Sequence, residues 1–243
     1  MEGESVRDQG APPWLVQGEM EPVGQVMETR NDVFLVRLED GERRRLAIYK
    51  PCAGEYPLWD FPQGTLCLRE RAAYLLSRSL GWPRIPPTVL REGFSGRGTV
   101  QQFIEFRPEE SYFTRQEERR ADFLPVALFD HAVNNADRKA GHLLFDQADR
   151  LWAIDQALTF HVDLKLRTVI WDFAGEPIPV RYLDDLRRVR SDLVPGGDLA
   201  LVLADLLSPQ EMEALLRRID SLLAAGVFPQ PDPDRVCLPW PLV

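Results

Sequence analysis

The dominant hydrophobic period of this chain differs between its two halves, and that difference bounds the folds open to it. Up to about residue 106 the apolar runs are short and alternate, as in strands; beyond residue 119 they recur at helical spacing. Val33-Phe34-Leu35-Val36-Arg37-Leu38 and Arg45-Leu46-Ala47-Ile48-Tyr49-Lys50 flank the turn pair Asp40-Gly41, which predicts a β-hairpin. Residues 23–27 read as a third strand, and residues 88–90 and 99–106 as two more. One helix interrupts this half, over residues 65–80, with Leu68, Ala72, Leu75, Leu76 and Leu80 in phase and Gly81 as its stop. In the second half Phe123, Val126, Ala127, Phe129, Ala132 and Val133 form a helical stripe that ends near Asn134-Asn135. A short hairpin follows, over 142–145 and 151–154, then helices over 180–193, 199–206 and 209–225. The last opens with the capping box Ser208-Pro209-Gln210-Glu211 and closes at Gly226, before a Pro-rich tail. The chain therefore reads as α+β, with a β-rich first lobe over 1–106 and a mostly helical second lobe over 107–243.

Composition narrows the function. A net charge of −9 over 243 residues argues against a nucleic-acid partner, which needs a basic face, and weakly against an anionic membrane surface. Cys52, Cys67 and Cys237 read as too few and too scattered for a disulfide framework or a metal knuckle. Residues 1–13 lack the apolar centre of a signal peptide, and no run approaches 18 apolar residues, so no transmembrane segment is expected. A cytoplasmic enzyme or binding protein fits these features.

Four polar residues stand where chemistry could use them. Lys50 ends a strand, with Ile48 on the same face. Such a pair can cover a purine with the isoleucine and hold phosphates with the lysine; an isolated strand lysine more often faces solvent. Glu70, in the next helix, can orient Lys50 or be an ordinary surface charge. Asp137 lies in a loop, where a free carboxylate can accept a hydroxyl proton. Asp155 ends the second hairpin, placed to hold a hard cation that bridges phosphates. Each aspartate also has the common alternative of stabilising a turn. His131, His142 and His161 cluster around them without the short spacing of a zinc pair.

The segments Asn134-Asn135-Ala136-Asp137-Arg138-Lys139-Ala140-Gly141-His142 and Ile154-Asp155-Gln156-Ala157-Leu158-Thr159-Phe160 resemble the catalytic and metal-binding loops of phosphatidylinositol 3/4-kinase-like proteins. HipA-type bacterial kinases share a related Asn-x-Asp-Arg loop. Tyr49-Lys50-Pro51 looks like the phosphate-lysine strand, and Arg69-Glu70 like the start of its partner helix. Over nearly its full length the chain resembles a bacterial phosphatidylinositol-kinase-like family, through Pro57-Leu58-Trp59-Asp60-Phe61-Pro62, Leu80-Gly81-Trp82, Lys165-Leu166-Arg167-Thr168 and Leu238-Pro239-Trp240-Pro241.

The resemblance implies a protein-kinase-like bilobal fold and γ-phosphoryl transfer from ATP with Mg²⁺ or Mn²⁺ to a protein, small-molecule or lipid hydroxyl. It implies that Lys50 holds phosphates, Glu70 orients Lys50, Asp137 serves the acceptor, and Asp155 binds metal. Ile48 would cover the adenine, and a hinge over 101–105, with Gln102, Phe103 and Ile104 at its centre, would read the base through its backbone. Two departures stand out: His142 where the loop's metal-binding Asn is expected, and Ala157 where Gly is usual. If His142 is a ligand, imidazole nitrogen favours Mn²⁺ over Mg²⁺, with binding lost below about pH 6. The same departures keep open a pseudokinase, and the same pocket could pass on AMP as a nucleotidyl transferase.

Overall fold

In a computed structural model describing residues 10–27 and 29–243, the strand-patterned half forms an antiparallel sheet of five strands in the order β1-β2-β3-β5-β4. These are β1 (Glu19–Gln25), β2 (Phe34–Asp40), β3 (Arg43–Pro51), β4 (Thr88–Gly93) and β5 (Gly96–Gln102). Period-2 alternation divides β3 between two surfaces. Ala47 and Tyr49 point into a core with Val36, Leu38, Val89, Val100, Trp14 and Leu15, beneath the short helix α1 (Pro13–Gln17). Leu46, Ile48 and Lys50 face the other way, the side on which α2 (Leu66–Leu80) lies against β4 and β5. The last strand stops at Gln102, short of residue 106, because the Gln102 and Phe103 amides leave the ladder for Pro87 O and Leu46 O.

The β1–β2 connection, which carries no Gly-rich flap, is tied down instead. The Asp32 amide donates to Gly54 O at 2.9 Å and the Tyr56 amide to Asn31 Oδ1 at 2.7 Å. Gly54 is required there, since a Cβ would lie 2.5 Å from Asp32 Cβ. Glu28 of that loop, and residues 1–9 with the signal-peptide expectation read from them, lie outside the described residues.

The expectation that the cysteines are too scattered to pair is overturned for two of them. Cys52 follows Lys50 out of β3 and Cys67 sits in the first turn of α2, and the two form a disulfide across a separation of 15 residues. Sequence distance misleads here because the loop between them doubles back. Closing a loop of this length restricts the unfolded chain by about 3 kcal/mol. Oxidised protein should therefore unfold at higher urea than reduced protein, by an interval corresponding to that amount. A Cys52→Ser, Cys67→Ser double variant should show no response to reductant.

The helical half comprises α3 (Tyr112–Arg115), α4 (Arg120–Val133), the hairpin β6 (Leu143–Phe145) and β7 (Leu151–Ala153), then α5 (Val180–Asp192), α6 (Asp198–Ala204) and α7 (Pro209–Ala225). Its core joins α2 and α4 to the last three helices through Leu76, Leu80, Phe129, Val133, Leu186, Leu215 and Ile219. The capping box of α7 forms as its sequence requires, and Gly226 adopts the left-handed C-cap. No helix among the described residues is long and apolar enough to cross a membrane.

His131 does not join the polar centre. It is buried on α4 between the rings of Trp171 and Phe228, and burial pushes its pKa down to about 4. Between that value and the ordinary imidazole pKa of roughly 6.5 the unfolded chain binds a proton that the native state refuses. Stability should thus fall as pH drops through that window, by about 2 kcal/mol between pH 7 and pH 5 from this group. Urea midpoints at the two pH values should differ less in a His131→Phe variant by that share.

Candidate active site

Three backbone devices bring distant residues together. β3 carries Lys50 to the mouth between the halves, α2 presents Glu70 one turn inside its start, and the β6–β7 hairpin delivers Asp155 from the opposite side. Lys50 Nζ donates to Glu70 Oε1 and Oε2 at 2.9 and 3.0 Å and to Asp155 Oδ1 at 3.4 Å. His142 Nε2 lies 3.5 Å from the other Asp155 oxygen. Glu70 is almost wholly buried, whereas the Asp155 side chain is 44% exposed, so its carboxylate is open to solvent.

The electrostatics follow from this contact. The Lys50 ammonium holds the Asp155 carboxyl well below the ordinary carboxylate range. Burial works against the charge of Lys50, but Asp155 and Glu70 outweigh it and hold the ammonium charged above its usual range. Burial pushes the Glu70 carboxyl up, opposed by Lys50. Burial also lowers His142 to about 4, so its imidazole is neutral; Nδ1 accepts from the Lys139 amide at 3.4 Å, which leaves the proton on Nε2, the nitrogen that faces Asp155. The protonation expected of an ordinary imidazole near about pH 6 therefore moves to lower pH.

Asp137 sits on the neighbouring loop. Its amide is held by Asn135 Oδ1 at 2.9 Å and its carboxylate by Lys139 Nζ at 3.2 Å. Burial raises its pKa, Lys139 opposes the shift, and the Asp155 charge is near enough to add to it. Asp155 itself adopts a φ of 56°, a left-handed conformation uncommon for a residue with a side chain.

Beneath these groups lies a buried scaffold that the sequence reading passed over. The Arg138 guanidinium pairs with Asp130, both with side chains at 0% exposure, and also donates to Ile154 O at 2.8 Å and Gln156 Oε1 at 2.8 Å. One side chain thereby fixes the Asp137 loop against both residues flanking Asp155. Asn134, in a left-handed C-cap of α4, donates to His161 O and Asp163 O and accepts from the Lys165 amide. Arg69, next to Glu70, pairs with the capping Glu211 of α7 and donates to Thr159 O, joining the two halves. The signal for Asp130 was present, a carboxylate inside an apolar helical stripe, where burial without a partner costs too much.

On the far side of Lys50, Ile48 shares its face and the hinge residues follow β5. Of the three central hinge positions, the amides of Gln102 and Phe103 are already donated, whereas that of Ile104 has no acceptor among the described residues. His161 lies apart from Asp155, with its Nε2 at 2.9 Å from Asp60 O.

No protein-family model matches the chain. Protein Rv2133c of Mycobacterium tuberculosis is 36% identical to it over 262 residues, an alignment covering 93% of each. The chain belongs to the same family as that protein. Among solved structures, the crystal structure of a Helicobacter pylori proinflammatory kinase, CtkA, is similar with a TM-score of 0.50 at 14% identity, covering 87% of this chain and 93% of that one. At that identity the likeness is one of fold: an α+β, kinase-like architecture with an antiparallel sheet in its N-terminal part and helices in its C-terminal part.

Proposed function

We propose that this member of the Rv2133c family is an ATP-dependent phosphotransferase of the phosphatidylinositol 3/4-kinase-like type, acting on a protein, small-molecule or lipid hydroxyl. The observation that carries the reading is the convergence of Lys50, Glu70, Asp155 and His142, residues far apart in sequence, within successive contacts of 3.5 Å or less. We divide the lobes at residue 106, where the chain leaves the hinge. A cytoplasmic setting belongs to the same proposal, and the Cys52–Cys67 bond is the feature that weighs against a reducing compartment.

In this reading Lys50 binds phosphate oxygens, and Glu70 keeps its ammonium aimed across the cleft. Ile48 covers the adenine, and Ile104 offers its amide to the base edge. Asp155 offers an ionised, solvent-open carboxylate to a divalent cation. The neutral imidazole of His142 would complete an O/N pair, which suits Mn²⁺ at least as well as Mg²⁺, once its proton moves from Nε2 to Nδ1 at the cost of the 3.4 Å contact from the Lys139 amide. When bound, the ion supplies charge neutralisation on the phosphates. Asp137 accepts the proton of the acceptor hydroxyl as its oxygen bonds to the γ-phosphorus and the bond to the β-phosphate oxygen breaks, releasing ADP. Lys139 holds that carboxylate in place.

Asp137→Asn separates binding from chemistry. ATP affinity measured by calorimetry should stay within about threefold of wild type, while ADP release falls by about 10²- to 10⁴-fold. Equal loss of affinity and turnover would contradict the role of Asp137.

A further inference from the structure

The proposed ATP site contains a buried amide whose orientation is dictated by its neighbours. Gln101 is 5% exposed and stands directly across from Ile48 on one side and Thr88 on the other. Residues paired across antiparallel strands share a face, so Gln101 lies on the Ile48–Lys50 surface, one pair from Lys50 toward the hinge. That is the back edge of the place where Ile48 would cover a base.

Thr88 Oγ1 donates its only proton to Pro86 O at 2.8 Å, an oxygen that can only accept. Its lone pair must therefore take a donor, and Gln101 Nε2 supplies one at 2.7 Å. With the nitrogen committed, the amide oxygen is the end that remains, and no hydrogen bond among the described residues reaches it. Gln101 Oε1 is thus an acceptor beside the hinge that still has its lone pairs to offer.

We propose that Gln101 is a specificity-determining residue that selects the group at purine position 6. An exocyclic amine, as on adenine, donates to Oε1; a 6-oxo group sets two acceptors against each other and leaves both unpaired. Thr88 is the positioning residue, because without its hydroxyl the amide can turn and offer nitrogen instead. The inference rests on the nucleotide-site reading above and adds to it the base and the side chain that reads it.

The test compares ATP with inosine triphosphate, which replaces the 6-amine by an oxo group and lacks the 2-amine of guanine. Calorimetric affinities with Mn²⁺ are measured for wild type, Gln101→Leu and Thr88→Val, each checked for a native melting transition. Wild type should favour ATP, and both variants should shrink the ATP-to-inosine-triphosphate ratio about tenfold, as expected for one discriminating hydrogen bond. ATP binding with a ratio unchanged in both variants overturns the role of Gln101 and leaves the site standing. Failure of wild type to bind either nucleotide overturns the site, and this inference with it.

Discussion

An Asp155→Asn substitution should lower metal-dependent phosphoryl transfer by about 10²- to 10³-fold, and it should weaken ATP binding only when divalent metal is present. Asparagine keeps the shape of the side chain and loses the charge that both Lys50 and a cation require. Lys50 remains anchored by two contacts to Glu70, so metal-free nucleotide should still meet an oriented ammonium. Calorimetry with ATP, with and without Mn²⁺, separates the cases. Equal weakening in both titrations would show that Asp155 supports the lysine and holds no metal.

The second large effect concerns the scaffold. Arg138→Met should destabilise the fold by about 3–5 kcal/mol, because it strands the fully buried Asp130 carboxylate. Burial already pushes the Asp130 carboxyl up, against the pull of Arg138, so removal of the guanidinium leaves only the Asn135 amide and the Thr168 hydroxyl to oppose that cost. The Arg138→Met, Asp130→Leu double variant should recover most of the stability in urea unfolding, since two apolar residues need no partner. It should not recover activity, because the bonds from Arg138 to Ile154 O and Gln156 would still be missing. Recovery of both would reduce Arg138 to a packing residue.

Much of this arrangement was legible in the sequence because its signals are local. The hairpin over β2 and β3 follows from alternation around Asp40-Gly41, and α7 from its capping box and terminal glycine. The helix that bears Glu70 was placed to within a residue, since Leu75, Leu76 and Leu80 keep helical phase up to Gly81. Helices α1 and α3 were missed, as four or five residues cannot show a period. Strand β1 lies earlier than expected because almost all of it is exposed, and an edge strand with little to bury carries little pattern.

The site divides along the same line. Lys50, Glu70, Asp137, His142 and Asp155 could each be singled out by position, but their meeting was implied by the family resemblance alone, since proximity between distant segments is a tertiary fact that local spacing does not carry. The scaffold was harder still. Asp130 stands out as a carboxylate inside an apolar helical stripe and Arg138 as part of a loop motif, but that the two pair with each other becomes plain only once both are known to be buried. The Cys52–Cys67 bond was lost for a related reason: its closeness depends on how residues 54–65 turn back toward α2.

The central claim is that this cleft moves the γ-phosphoryl group of ATP. The most direct measurement incubates the protein with Mg²⁺ or Mn²⁺ and ATP labelled at either the α- or the γ-phosphate, and follows label on the protein, on added acceptors and on released phosphate. The account predicts transfer or release of γ-label alone, with ADP as product and loss of the signal in Asp137→Asn and Asp155→Asn. Appearance of α-label on an acceptor would make the protein a nucleotidyl transferase. Tight ATP binding with neither label moved under either metal would make it a nucleotide-binding module, and would contradict the assignment.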